Sequence, residues 1–281
     1  MIIDNNCPLN MHSTIRLGGT CDGYFPENTK ELTSLISKFR EEGIEYCIVG
    51  RMSNILPTDE KAKAKVIFSD KLNDICYNGL SVTLSCGVRF SQAISRFSND
   101  KKSLCPSLIG IPGMVGGMVC QNASCYDEEI ASSFLYAELY SVTDNHIIRL
   151  NNEDMQFSYR TSILKTKKFI LLNATFKVLD KDVRDIIHFV SEKRRKSMPL
   201  KPSLGSVFLR KDGISIGYLL DRLGQKGRRF GGISVSQMHA GVLINENHGT
   251  ARDYRVAVST LSELIFKTYG FIPEREVEFL S

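Results

Sequence analysis

The stretch LIGIPGMVGGMVCQNAS, Leu108 to Ser124, carries no charged residue and contains Gly110, Pro112, Gly113, Gly116 and Gly117. Its reading decides the rest of the chain: a membrane segment, a buried core strand, or a loop that wraps a ligand. A spanning helix needs roughly 20 mostly apolar residues. The run is shorter and is interrupted by glycine and proline, both poor helix formers in water. The membrane reading fails. Closely spaced glycines let a backbone approach a ligand and turn its N–H groups inward into an anion-binding nest. GIPGMVGG (110–117) is not a Walker loop, because no GK[ST] comes after it. It is not the dinucleotide GxGxxG either, because no helix with a matching acidic partner is expected after it. By pattern, a phosphate cradle and a tight structural turn both stay open.

Composition bounds the answer further. With 281 residues, 42% hydrophobic and 24% charged, the chain can bury a substantial core and form two or three subdomains. The N-terminal MIIDNNCPLN lacks a basic flank followed by an apolar stretch, so no signal peptide is expected. No other segment reaches membrane length, which predicts a soluble, cytoplasmic protein with no membrane insertion. The eight cysteines form no CxxC pair and the histidines lack zinc spacing, so reduced core thiols and no metal are expected. A net charge of +5 suits an anionic small molecule and is too weak to point to nucleic acid.

Outward from the run, periodicity predicts a helix over 29–43, with Leu32, Leu35, Ile36 and Phe39 on one face and an Asn28/Glu31 capping box. Strands are expected at 45–50, 64–68 and 80–87, and a helix at 89–97. Beyond the run, FLYAELYSV and HIIRL flank Asp144-Asn145 as a hairpin, and 167–179 reads as a strong strand. The texture changes near Asp180. A helix over 182–196 carries Val183, Ile186, Ile187 and Val190 on one face and ends in KRRK, a basic terminus that complements the helix dipole. Further helices are expected at 215–224 and at 250–269, the latter opened by a Thr250/Asp253 capping box. Strands are expected in GGISVS, GVLIN and the closing EVEFL. Mixed elements without regular βαβ alternation indicate an α+β fold.

Four further stretches can carry chemistry. VGRMSNIL (49–56) lies directly after a strand, and Ser53 and Asn54 suit either a turn or a polar ligand. In FSYRTS (157–162), Arg160 can be ordinary surface or a fixed cation binding a carboxylate in bidentate fashion. In PSLGSVF (202–208), Ser206 lacks the GxSxG elbow and any implied His/Asp partner, which argues against a serine hydrolase. In PEREVEFL (273–280), Glu274, Glu276 and Glu278 alone read as one solvated strand face.

Taken in order, STIRLGG (13–19), VGRMSNIL, GIPGMVGG, NASCYDEEI (122–130), FSYR, the basic run before PLKPSLGSVF, GGISVSQMHAGVLIN (231–245) and PEREVEF make the chain resemble the MurB family. These are the UDP-N-acetylenolpyruvoylglucosamine reductases of peptidoglycan synthesis. The match runs nearly end to end, and the short chain looks like the family's type II. The resemblance implies an FAD-binding domain of two α+β subdomains, of the vanillyl-alcohol-oxidase kind, over 1–185 with a split near 70–75. A C-terminal α+β substrate domain would cover 186–281. It implies an oxidoreductase in which NADPH reduces FAD and hydride passes to the enolpyruvyl group of a UDP-sugar. A monomer is expected. It further implies catalytic roles for Arg160, Ser206 and Glu276. Ser206 would be the proton donor, and Glu276 would act protonated or hydrogen-bonded, its pKa raised by burial. Cofactor contacts would come from Gly50, Arg51, Met52, Ser53 and Asn54 in one loop, and from Gly110, Ile111, Pro112, Gly113, Gly116, Gly117 and Asn122 in the other. Tyr159 and Arg210 would join Arg160, Ser206 and Glu276 at the substrate.

The sequence also departs from that pattern. Where the family reads GGGSN, Arg51 and Met52 replace two glycines. Where it reads NAGAYG, NASCYD loses two more, and Arg210 stands where KNP supplies an asparagine. These changes keep two alternatives open: a flavoenzyme of the same fold with another small-molecule substrate, and a non-catalytic protein with weakened FAD binding.

Overall fold

The computed structural model describes residues 1–246 and 248–280. The elements mix helices with parallel and antiparallel sheets, an α+β chain as expected. Packing groups the residues into two compact units that are discontinuous in sequence. One comprises 1–3, 23–50 and 65–192; the other comprises 4–22, 51–64 and 193–281. A division at 185/186, by contrast, follows order along the chain.

In the first unit, Tyr46–Val49 and the end of Thr20–Phe25 both pair in parallel with Lys65–Phe68. Parallel neighbours need a crossover, and Thr29–Glu41 precedes Tyr46–Val49 as the helix of such a unit. That helix buries the four predicted apolar residues. Its capping differs from the expectation in one respect. Asn28 accepts the Glu31 N–H at 2.9 Å, but the Glu31 carboxylate accepts from Glu27 N–H rather than from Asn28.

The second layer is an antiparallel sheet of five strands in the order His146–Asn151, Phe134–Ser141, Phe169–Lys177, Ser81–Ser85, Ile75–Asn78. The predicted hairpin forms with Ser141 opposite His146. Thr83 and Thr175 face each other across two strands, with their hydroxyls 2.8 Å apart, a cross-strand pair of the stabilising kind. One core joins this sheet to the helices Thr29–Glu41 and Phe90–Asn99. It includes the aliphatic side chains of Leu32, Ile36 and Val82 and an edge-to-face pair of Phe90 on Phe176.

The second unit is built on an antiparallel sheet ordered Ser203–Ser206, Val242–Asn245, Ile233–Val235, Arg229–Phe230. The helix Ala251–Tyr269 buries Tyr254, Ala257, Val258, Leu261 and Ile265 in that unit's core. Its capping box is complete: Thr250 accepts the Asp253 N–H and the Asp253 carboxylate accepts the Thr250 N–H, both at 3.0 Å.

Several elements differ from the sequence reading. The charge-free run is not a loop throughout: Val115–Cys120 is a short helix that includes Gly116 and Gly117, where glycine's low helix propensity hides it. Strands at Ile2–Pro8, Thr20–Phe25 and Ile75–Asn78 add to those the pattern predicts. Ile2–Pro8 buries only Cys7, so it offers no period-2 signal. Of the apolar residues expected on one face of the 182–196 helix, the helix Arg184–Ser197 buries only Val190; Val183 is buried just before it. Cys7, Cys21, Cys86 and Cys105 are buried and all eight thiols are free. Burial pushes the thiols of Cys47, Cys86 and Cys105 up to about 12. Among the described residues no helix is long and apolar enough to cross a membrane, and no cluster of three or more His, Cys, Asp or Glu could hold a metal.

Candidate active site

The two glycine-bearing turns of the first unit meet. A side chain at Gly50 would begin 2.9 Å from the Met114 sulfur and 3.1 Å from its Cβ, so the absence of a side chain permits this approach. Ser69 fixes the junction, donating to the Val49 carbonyl at 3.2 Å and lying 3.7 Å from Met114 Sδ. The N–H groups of Val115 and Gly116 are used internally, by the carbonyls of Val88 and Cys86 at 2.9 and 2.8 Å. Pro112 and Gly117 are exposed, and nothing lies within 4 Å of the place where a Gly117 side chain would start. Gly110, Ile111 and Gly113 are half-buried. The geometry fits a group that needs close backbone approach along the Pro112–Gly117 side.

The remainder of the partner loop, from Arg51, belongs to the second unit. Met52 adopts φ 47° with its side chain 2% exposed. A bulky residue is an outlier there, and burial of the side chain is what holds it. Arg51, Ser53 and Asn54 are half-buried.

Arg160 lies at the tip of a tight turn closed by two hydrogen bonds between Ser158 and Thr161, at 3.1 and 3.2 Å. Its φ is 55°, while that of Tyr159 is negative, so Arg160 occupies the position where such a turn favours glycine. Strain of this sort costs on the order of 1–3 kcal/mol and persists only where the surroundings over-determine it. Those surroundings are visible. Asn122, 1% exposed, donates from Nδ2 to the Ser158 carbonyl at 3.2 Å and to Glu129 at 3.1 Å, and accepts the Ala131 N–H at 3.1 Å. Ser162 Oγ donates to the Cys120 carbonyl at 3.0 Å. The guanidinium itself donates from Nη1 to Ser124 Oγ at 2.9 Å. Asn122 thus ties the Arg160 turn, at Ser158, to Glu129 and Ala131. Tyr159, beside Arg160, is 51% exposed.

In the second unit Ser206 ends the strand Ser203–Ser206. The register steps from Ser203 opposite Ile244 to Ser206 opposite Val242, so one extra residue is inserted. Gly205 at φ 76° accommodates that bulge, a device that re-aims the following side chain. The next carbonyl, of Val207, accepts the N–H groups of both Glu276 and Val277, at 2.9 and 3.4 Å. Phe208 pairs antiparallel with Arg275, and Leu209 N–H bonds the Glu274 carbonyl at 2.9 Å. Asn54 completes the arrangement. Its Nδ2 donates to the Glu276 carbonyl at 2.9 Å and its own carbonyl accepts the Glu278 N–H at 3.0 Å. Asn54, Ser206 and Glu276 are therefore brought together through one main-chain ladder. Glu276 is half-buried, between the more exposed Glu274 and Glu278. Arg210 is exposed and donates to the Gly213 carbonyl at 3.4 Å.

Ser124, which accepts from Arg160, lies outside the set of candidate site residues that sequence reasoning supplies. Its one signal is NASCYD, where the departure from the family pattern loses a glycine and gains a hydroxyl.

Two glycine-bearing turns and an arginine turn thus lie in one unit, and the serine–glutamate ladder lies in the other; similarity to known proteins gives the class, that of FAD-binding reductases. Residues 24–151 match the family described as FAD binding domain, and residues 196–280 match UDP-N-acetylenolpyruvoylglucosamine reductase, C-terminal domain. The chain is 34% identical over 280 residues to UDP-N-acetylenolpyruvoylglucosamine reductase of Caldicellulosiruptor bescii, covering 97% of this chain and 89% of that one. It is 32% identical to the enzyme of that name from Streptococcus suis, over 97% and 92% of the two chains. The crystal structure of UDP-N-acetylenolpyruvylglucosamine reductase (MurB) from Thermus caldophilus superposes with a TM-score of 0.84 over 100% of both chains at 24% identity, which establishes a shared fold. The chain belongs to the UDP-N-acetylenolpyruvoylglucosamine reductase family.

Proposed function

We propose that this protein is an FAD-dependent reductase that uses NADPH to convert UDP-N-acetylglucosamine enolpyruvate to UDP-N-acetylmuramate for peptidoglycan synthesis. The observation that carries the reading is the ladder in which the Val207 carbonyl joins Glu276 to the residue after Ser206. It fixes the backbone of the serine-bearing and glutamate-bearing segments in one register, which supports proton delivery to a developing carbanion from groups on those segments.

FAD would be held along the Pro112–Gly117 side and at Gly50, with Arg51, Met52, Ser53 and Asn54 as further contacts, and would supply the hydride chemistry. The protein's residues handle charge and protons. Hydride addition to an enolpyruvyl ether leaves negative charge delocalised onto the substrate carboxylate. Arg160, a permanent cation with a planar fork of donors, binds that carboxylate and stabilises the charge. Ser206 delivers a proton to carbon, and because a serine hydroxyl is a weak acid it must be close and be reprotonated by water or a relay. Glu276 assists as a hydrogen-bonded acid, with Tyr159 and Arg210 at the rim of the substrate site. The reading includes a UDP-sugar as the partner, a cytoplasmic location, a monomer, no nucleic-acid partner and an FAD domain preceding a substrate domain.

Stopped-flow spectroscopy tests it. Purified protein is expected to be yellow, to bleach with NADPH, and to regain flavin absorbance on mixing with UDP-N-acetylglucosamine enolpyruvate. A flavin that bleaches but does not recover with this substrate would favour another small molecule. A colourless protein that takes up no added FAD would overturn the enzyme reading.

A further inference from the structure

We propose that Ser124 is a positioning residue for Arg160, fixing the plane in which the guanidinium meets the substrate carboxylate. The inference rests on the reading of Arg160 as the carboxylate-binding cation. An arginine side chain is long and rotatable, and a bidentate carboxylate contact is productive only when the fork is turned edge-on to the ligand. Ser124 Oγ accepts from Arg160 Nη1 at 2.9 Å, with the Ser124 carbonyl 3.5 Å from the same nitrogen.

The mount under that hydroxyl is short and stiff. Ser124–Cys125 pairs antiparallel with Glu128–Glu129 across the two residues Tyr126 and Asp127. Both have positive φ, 48° and 65°, the conformation of a tight type I′ hairpin. The backbone of the arginine turn is anchored separately, by Asn122 at Ser158 and by Ser162 at Cys120. The Ser124 hydroxyl therefore acts on the guanidinium and not on the path of the chain. A glycine at 124 would keep the carbonyl and lose the acceptor that defines the plane. The guanidinium here is oriented before the ligand arrives, which lowers the ordering cost of binding.

The test measures the dissociation constant of UDP-N-acetylmuramate by calorimetry, and the steady-state constants for the enolpyruvyl substrate, in Ser124→Ala, Ser124→Gly and Ser124→Thr, each alone and with Arg160→Lys. The alanine and glycine variants are expected to weaken product binding about five- to tenfold, the upper part of the range for losing one ordinary hydrogen bond. KM should rise more than kcat falls, and flavin content should be retained. The threonine variant, which keeps the hydroxyl, is expected within about twofold of the parent, and in the Arg160→Lys background the Ser124→Ala factor should shrink below about twofold. Two results overturn the positioning role while leaving Arg160 in place: no loss in either Ser124→Ala or Ser124→Gly, or an equal loss with and without Arg160→Lys. If Arg160→Lys alone changes neither binding nor turnover, the carboxylate-binding reading fails and the role of Ser124 falls with it. Alanine and glycine are made in parallel so that poor folding of one leaves the other to decide.

Discussion

Two places in the molecule position the proposed functional groups by different means. Beyond its own Ser158–Thr161 main-chain pair, the Arg160 turn is tied to the rest of the unit by side chains: Asn122 at its backbone, Ser162 at its exit and Ser124 on the guanidinium. The Ser206–Glu276 ladder is held by main chain: Val207 carbonyl to two N–H groups, with Gly241 and Asn54 carbonyls on its flanks. Side-chain supports can be lost by one substitution. A main-chain ladder survives most substitutions, because any residue but proline supplies the same N–H and C=O. The arginine site should therefore be sensitive to its neighbours, and the serine–glutamate site mainly to the functional atoms themselves.

The largest effect expected on this contrast is Ser206→Ala. Its backbone register should persist, so the loss should be chemical: flavin reoxidation by the enolpyruvyl substrate slows by about 10²–10⁴-fold, the usual contribution of a general acid. Stopped-flow traces check this, and unchanged reoxidation removes Ser206 as proton donor. Next is Asn122→Ala, which removes the acceptor of the part-buried Ala131 N–H and one of two donors to the Ser158 carbonyl, and empties a place that is 1% exposed. A loss of about 1–3 kcal/mol in stability is expected, with weaker substrate binding, read by denaturant unfolding and KM. A variant as stable as the parent would break the contrast from the arginine side.

Asn54→Ala is predicted to cost less, about 1 kcal/mol, because it removes one hydrogen bond to the Glu276 carbonyl while the Val207 bonds remain. A loss as severe as that of Asn122→Ala would show that the ladder too depends on side chains. Smallest is the effect of His239. Its Nδ1 accepts the Gly241 N–H at 3.0 Å, and the Gly241 carbonyl in turn accepts the Val207 N–H. Burial lowers its pKa below the ordinary 6.5. The unfolded chain then binds the proton more readily, so the stability this residue contributes is present above pH 6.5 and is lost as pH falls through the lower folded-state value. Comparing His239→Gln with the parent across that window by thermal unfolding should show a flatter acid limb; identical slopes would remove the link.

Legibility tracks the range of the interaction. The caps at Asn28 and Thr250 are written within four residues, and both helices begin where those residues say. The strong strand Phe169–Lys177 and the hairpin that pairs Ser141 with His146 are equally readable. The helix Val115–Cys120 is hidden by its own glycines, which favour loops in isolation and are held here by Cys86 and Val88 carbonyls far back in the chain. The bond from Asn54 to the Glu276 carbonyl spans 222 positions, and that from Ser124 to Arg160 spans 36. No local pattern encodes either. The residue types of the candidate site are legible through the order of motifs; the supports that aim them are not.

Met52 carries a consequence of filling a glycine position in such a loop. Its left-handed backbone is strained by about 1–2 kcal/mol, which a change to glycine would relieve. Yet its side chain is almost wholly enclosed, and removing a buried methionine side chain costs about 2–5 kcal/mol. Met52→Gly should thus destabilise the fold by a net amount of roughly 1–3 kcal/mol. Glycine, the residue free of strain at such a φ, is therefore not the safe residue at position 52.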